Sequence, residues 1–543
     1  MENFKLPIEY IEHKNIQPII ESDLEMSHLY NDILKDSLLV PKWISYYTTN
    51  TQYLKDTQQI IKHNKIKVND YTTFEQKYNI LKKDTYFNDK YQYINIQKLN
   101  QLNYSIPFMQ FMSLYNLSAP LFSIVTPIFM LLVPFFILKF KSYDISIQKY
   151  IDVLTSMIKR TNIFKLFNET NQMTFQQKIS GLMSILFYIF QIYQNVISCI
   201  EFYNNLHFIY DFIREYKEYC LKSIEQMKNL NSFLDIYGTY ELFVKENEHH
   251  IDILNIMVHK TNYILNHKNT LSRLGQVGYV MSLFYDIHYN KLYDSSIYYS
   301  YYVNQYVNDL NKWRQMYKNK KIKTCTFNKK STYMKESYYL FHYKEKSIKN
   351  DIHIDKNIII TGPNASGKTT LLKSILLNII LSQQIGFGSY KKANIHVYDY
   401  LHSYLNIPDT SDRDSLFQAE ARRCKDILET INSHEKERHF CIFDELYSGT
   451  NPNDAVLCAT LYLKGLIQHK NHIDFVLTTH YIKLCEYFND KTYEKDLVNI
   501  KMDVNVENED IDYLYKIKHG ISYVHGGKKV LRDLEYPSYL YEL

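Results

Sequence analysis

Leu182, Ile185, Ile189, Ile192, Val196, Ile200 and Tyr203 recur at spacings of three and four. That is the period of one helix face, so the pattern predicts one long helix, running on toward Glu225. Segments around 145–165, 250–268 and 292–317 carry the same period, and their apolar faces are expected to form the core of a helical domain. No sustained heptad with flanking charges and no tandem repeat is present. Past about residue 335 the pattern changes to short apolar runs. Ile358-Ile359-Ile360, Phe440-Cys441-Ile442-Phe443 and Phe475-Val476-Leu477 each have the length of a buried strand. Glycine and proline follow the same division. No proline lies between Pro134 and Pro363, while nine of the 13 glycines fall between Gly362 and Gly527. Both residues break helices and make turns, so the first stretch predicts long helices and the second an α/β domain. The expected organisation is a mostly helical region at 1–118, an apolar segment at 119–140, a helical region at 141–330 and an α/β domain at 331–543.

Pro120 to Leu138 carries no charge over 19 residues, enough to span a bilayer. Lys139 and Lys141 follow, which would place its C-terminal side in the cytoplasm. The alternative is a fully buried helix or a broken hairpin, with Pro127 and Pro134 favouring a kink in either case. The stripe at 182–203 includes Gln191, Gln194, Asn195 and Glu201, which make it a poor second span.

Composition adds little. A chain of 543 residues is too long for one core and predicts two to four domains. A net charge of +5 argues neither for nor against nucleic acid. The basic stretch from Lys312 to Lys330 has no aromatic interleaving and is expected to be a solvated linker. Seven cysteines without C-x-x-C spacing, and no signal peptide, point to reduced, buried thiols in an intracellular protein, with cytoplasm and nucleus undistinguished.

The chemistry concentrates in the α/β half. Gly362-Pro363-Asn364-Ala365-Ser366-Gly367-Lys368-Thr369 fits the phosphate-binding pattern G-x-x-x-x-G-K-[ST] at every fixed position. A predicted strand precedes it, and a predicted helix follows from Thr370. Such a loop bares backbone N–H groups to phosphates at a positive helix end. Lys368 would reach the β- and γ-phosphates of ATP, and Thr369 would hold Mg²⁺. Asp444-Glu445 ends an apolar strand. Asp444 is placed for Mg²⁺, and Glu445 for orienting and deprotonating a water. His480 ends another strand and could bond the γ-phosphate. Ser415 opens a predicted helix and offers a second phosphate site. Gly449-Thr450-Asn451-Pro452 suits a loop packed against a neighbour.

These residues together resemble the MutS family, a mismatch-repair branch of the ABC-type ATPases. The resemblance rests on Thr361-Gly362-Pro363-Asn364, Gln384-Ile385-Gly386, the Ser415-to-Glu420 helix, Asp444-Glu445, Gly449-Thr450, Thr479-His480-Tyr481 and Gly520-Ile521-Ser522-Tyr523. It covers about 335–540. It implies an ABC-type P-loop ATPase domain preceded by an α-helical core and lever region. It also implies a homodimer or heterodimer of ATPase domains closing across two ATPs, each domain lending Ser415 to the other's γ-phosphate, with closure passed to DNA. The family's mismatch-reading Phe-x-Glu motif has only a chance counterpart, Phe167-Asn168-Glu169. Ser415-Leu416-Phe417 replaces Ser-Thr-Phe. Leu446-Tyr447-Ser448 departs from the basic or glycine residue usual after the carboxylates. The family's C-terminal dimerisation extension is expected to be missing after Pro537.

Two functions follow as expectations. One is an ATP-hydrolysing protein acting on mismatched, distorted or branched DNA. The other is a membrane-associated ATPase, anchored by 120–138, that uses the same head for another partner. A non-enzymatic ATP switch is disfavoured by the intact Lys368, Asp444, Glu445 and His480. An ABC transporter is disfavoured by the lack of a Leu-Ser-Gly-Gly-Gln-like helix start, and an SMC-type protein by a phosphate loop that begins only at 362.

Overall fold

The computed structural model describes residues 4–141, 146–168, 173–265, 274–343, 347–405, 415–469, 472–507, 510–524 and 526–537. Its packing forms two units. One gathers residues 1–68, 226–249 and 299–543, and the other 69–225 and 250–298. These do not follow the contiguous boundaries at 118, 140 and 330, because distant stretches of chain share each core.

The first unit holds every strand among the described residues: β1 (Lys14–Asn15), β2 (Tyr46–Tyr47), β3 (Lys323–Asn328), β4 (Thr332–Ser337), β5 (Asn350–Ile354), β6 (Asn357–Thr361), β7 (Phe387–Gly388), β8 (Lys392–His396), β9 (Tyr400–Tyr404), β10 (His439–Asp444), β11 (Ile473–Thr479), β12 (Leu497–Glu507) and β13 (Asp510–His519). A six-stranded sheet runs β13-β12-β6-β11-β10-β9, parallel except for the antiparallel edge pair β12–β13. A second sheet runs β5-β4-β8-β3-β7. All five residues of β6 are buried, as a central parallel strand covered on both faces requires.

The helix Lys368–Ile385 follows β6 and is buried nearly all round, so its polar side chains need internal partners. Gln384 Nε2 donates to Trp43 O at 2.7 Å and Tyr46 O at 2.9 Å. Gln383 Nε2 donates to Tyr398 O at 2.8 Å and Thr48 O at 3.3 Å. Gln58 Nε2 donates to Gly386 O at 2.7 Å. Gly386 ends the helix at φ +76°, and a Cβ there would lie 2.6 Å from Gln58 Cγ. The N-terminal residues therefore form part of the α/β unit's core. The basic stretch from Lys312 is structural too, which corrects the linker expectation. It ends the helix Lys291–Lys318 and enters β3, Trp313 is fully buried, and Lys312 Nζ donates to Lys35 O at 2.6 Å. All seven cysteines are free, and Cys199 and Cys458 are only half-buried.

The second unit is helical. The predicted stripe lies on a helix running Phe175–Leu234. From Phe202 on, its apolar face packs as expected, with Ile209, Phe212, Ile213 and Tyr216 buried. Before that point the core expectation fails. Leu182, Ile189, Val196 and Ile200 are exposed, as is Tyr203 just beyond, while Ile185 and Ile192 are half-buried. The 120–138 segment is neither a fully buried helix nor a broken hairpin. It belongs to one helix, Ile106–Phe140, which continues through Pro120, Pro127 and Pro134. Phe122, Phe129, Phe136 and Phe140 on it are exposed. By length and composition, Ile106–Pro127 and Phe175–Leu234 both qualify as membrane-crossing helices. Of the Phe167-Asn168-Glu169 triplet, Glu169 lies outside the described residues.

Candidate nucleotide site

Strand register brings the site together. β6 lies beside β11 with Thr361 opposite Thr479, and β11 lies beside β10 with Thr478 opposite Asp444. The segments leaving the carboxyl ends of these three parallel strands carry Gly362–Thr369, His480 and Glu445. That edge is where open α/β sheets place ligands. The glycine loop turns through Ala365 at φ +63° and Gly367 at φ +90°. A Cβ on Gly367 would lie 3.0 Å from Tyr515 Cδ1, so bulk there would press on the neighbouring strand. Asn364, Ala365, Thr369 and Thr370 are exposed, while Gly362, Pro363, Ser366 and Lys368 are buried. Ser366 Oγ has no hydrogen-bond partner among the described residues, an unused polar atom inside the loop.

Thr369 Oγ1 donates to Asp444 Oδ2 at 2.6 Å, and the Thr478 hydroxyl donates to Asp444 Oδ1. His480 Nε2 lies 2.8 Å from Glu445 Oε1 and 3.0 Å from Lys368 Nζ. A protonated Nε2 donates to Glu445, whereas a bare one accepts from Lys368. Lys368 Nζ also donates to Gly362 O at 3.2 Å. The hydrogen bond with His480 is the main cause that lowers the Glu445 pKa. The His480 and Lys368 charges add to it and burial opposes it. Burial lowers the Lys368 pKa against the Glu445 and Asp444 charges. Glu445 and Tyr447 hold φ of +57° and +58°, a left-handed turn that non-glycine residues seldom adopt.

Ser415 stands as the N-cap of the helix Leu416–Ser433, its side chain accepting from Gln418 N while Gln418 bonds back to the Ser415 backbone. It does not line the cavity at the glycine loop. Glu420, one turn on, is buried and accepts from Ser448 N at 3.0 Å, Ser448 Oγ at 2.8 Å and Gly449 N at 3.1 Å. A Cβ on Gly449 would lie 2.8 Å from Phe417 N. The loop after the carboxylates thus packs against the Ser415 helix of its own chain. Asn451 caps the next helix, Pro452–Gln468.

A cavity of ≈ 630 Å³ opens beside the loop, lined by Asn364 to Thr370, Glu445, Tyr338, Tyr339, His342, Met502 and Tyr515. Its aromatic wall was not legible in the sequence. Among 52 tyrosines, nothing in the spacing singles out Tyr339 or Tyr515. A smaller space of ≈ 330 Å³ lies between the loop, His480 and Ser522. Ser522 N donates to Thr361 Oγ1 at 2.8 Å, which ties the Gly520-to-Tyr523 segment to the loop's base.

Residues 358–542 match the family described as MutS domain V. The chain is 31% identical over 182 residues to the DNA mismatch repair protein MutS of Bacteroides fragilis, covering 32% of this chain and 20% of that protein. It is 32% identical over 186 residues to the protein of that name from Phocaeicola vulgatus, with the same coverage. It is 29% identical over 186 residues to the DNA mismatch repair protein MSH3 of Arabidopsis thaliana, covering 33% of this chain and 17% of that protein. The match thus spans about a fifth of the length of these relatives, and all of it lies in the unit that holds the site. The family likeness thus rests on this C-terminal domain, which carries the glycine loop, the paired carboxylates and the strand-end histidine and matches MutS domain V.

Proposed function

We propose that the chain is a P-loop ATPase of the ABC type that hydrolyses ATP to ADP and phosphate and couples this to distorted, mismatched or branched DNA. The convergence of Lys368, Thr369, Asp444, Glu445 and His480 at one sheet edge carries the proposal. Loop N–H groups, Lys368 and the unpartnered Ser366 hydroxyl suit the phosphates, and the wall with Tyr339 and Tyr515 suits a planar base. The hard oxygens of Thr369 and Asp444 fit Mg²⁺, which when bound would neutralise phosphate charge. Glu445, kept ionised by its neighbours, accepts a proton from water, and His480 orients it. Ser415 at its exposed helix start is free to serve the ATP of a second head, so two heads of one or two kinds would close on ATP. The names of the relatives support the link to DNA mismatch repair.

The test is steady-state ATPase activity of the full chain without DNA, with homoduplex, with mismatched duplex and with branched DNA, and with Glu445→Ala as control. Stimulation by a DNA form supports the proposal. Activity indifferent to every DNA overturns its DNA half, and absent Mg²⁺-dependent turnover overturns the whole. A second reading, a membrane-associated ATPase built on the same head, is favoured by the exposed apolar helices of the second unit.

A further inference from the structure

The helices Ile106–Phe140 and Phe175–Leu234 touch at two levels within their apolar lengths. Tyr188 Oη donates to Ser123 O at 3.0 Å, and Cys199 Sγ to Leu117 O at 3.3 Å. These contacts make the pair antiparallel, with residue 123 level with 188 and 117 level with 199. In that register the uncharged 120–138 stretch lies beside roughly 175–193. Gln194 and Asn195 then fall at the end of the apolar band and Gln191 near its edge. The polar residues that count against a second span in the sequence therefore sit where a membrane interface begins.

Exposed apolar side chains wrap well over half of each helix. On the first, Leu121, Phe122, Ile124, Phe129, Val133 and Ile137 are exposed, with Phe129 at 60%. On the second, Leu182, Met183, Leu186, Phe187, Tyr188 and Ile189 are exposed, with Phe187 at 65%. A protein partner or a second copy covers one stripe of a helix, whereas hydrocarbon covers all of it. The uncharged 120–138 stretch spans about 28 Å at 1.5 Å per residue, close to the ~30 Å of a bilayer's apolar layer.

The far end of the pair is basic. The helix Ile147–Arg160 exposes Ile147, Ile151 and Met157 on one side and Lys149, Lys159 and Arg160 on the other. It packs on the first helix through Tyr150 against Phe135, ring centroids 4.8 Å apart. Lys139, Lys141 and Lys165 add to this tip, with Asp152 the one acid among its described residues from 139 to 168. An amphipathic basic helix beside an apolar pair complements anionic lipid headgroups.

We propose that these two helices form a hairpin seated in a lipid bilayer, with its basic tip against anionic headgroups. This rests on the membrane-associated reading above and assigns the segment and lipid chemistry responsible. The full chain, purified in mild detergent, is mixed with vesicles of phosphatidylcholine alone or with added phosphatidylglycerol. Detergent is removed and the vesicles are floated. Wild type floats with both, more with phosphatidylglycerol, and resists high salt. Phe129→Lys with Phe187→Lys drops at least tenfold in the floated fraction while keeping its ATPase rate and melting temperature. Lys159→Gln with Arg160→Gln loses the gain from phosphatidylglycerol, roughly tenfold or more in partitioning for two charges near the surface. If wild type and the double lysine variant float equally, the hairpin assignment fails while membrane association stands. If wild type stays with the lipid-free fraction, both fail. A concentration-dependent oligomer that the lysine variant abolishes would then identify a second copy of the chain as the cover.

Discussion

Glu445 Oε1 and Lys368 Nζ both lie within hydrogen-bond reach of His480 Nε2. Because His480 is the main cause of the lowered Glu445 pKa, His480→Ala raises that pKa. The acid limb of the kcat profile should then shift to higher pH, and an unmoved limb would sever the coupling. Glu445→Ala should bind ATP yet fail to turn it over, accumulating a closed dimer with ATP and Mg²⁺. Equal monomer fractions in mutant and wild type by sedimentation would count against closure. Asp309 is a second informative residue. Burial pushes its carboxyl up to about 6, despite bonds from Ser37 and Trp43 and the Lys312 charge. Its Oδ1 has no partner among the described residues. A folded pKa above the unfolded one means the native state binds more protons between about pH 4 and 6, so stability falls as pH rises through that window. The cost near neutrality is about 3 kcal/mol. Asp309→Asn should therefore raise the melting temperature relative to wild type more at about pH 8 than at about pH 4.5. An equal shift at both would show that the ionised form carries no such cost.

Among the elements, the start of the helix Leu416–Ser433 and the loop after β10 act together, because Glu420 accepts three bonds from Ser448 and Gly449. Glu420→Ala removes the acceptor of all three bonds, a cost of about 1 kcal/mol or less for each, since Ser448 and Gly449 are exposed and water can take its place. It should lower the melting temperature and reduce kcat more than ATP affinity, since the glycine loop is not among its partners. A kcat unchanged in that variant would show that the loop holds its place without the clamp. The Glu420 position is legible in the sequence as part of the helix motif. Its role is not, because the loop it holds lies 28 residues further along the chain.

At the scale of the molecule, the α/β unit is assembled from three separated stretches of sequence. A fragment cut at the sequence boundary of 331 would lose β3, which pairs with both β7 and β8, and the N-terminal acceptors of Gln383 and Gln384. We expect residues 331–543 alone to give no cooperative thermal transition. Refolding upon addition of a 1–68 peptide is not expected either, since β3 would still be missing. A sharp transition near that of the full chain would overturn this.

The sequence by itself makes legible the positions of the candidate site residues. The glycine loop, Asp444-Glu445, His480 and the Ser415 cap are local patterns whose backbone needs, a left-handed glycine, a strand end and a helix start, can be read within a few residues. It also determined that long helices precede an α/β domain, because proline and glycine placement and apolar period are local too. Tertiary structure decided what depends on distant partners. Examples are the aromatic wall beside the loop, the Glu420 clamp, the union of residues 1–68 with the site's unit, and the burial of Trp313 in a stretch that reads as linker. It also decided that most of the stripe from 182 to 200 stays exposed while the helix from Phe202 on packs into the core. The same period serves both, and only the neighbours present in space distinguish a face turned to protein from one turned outward.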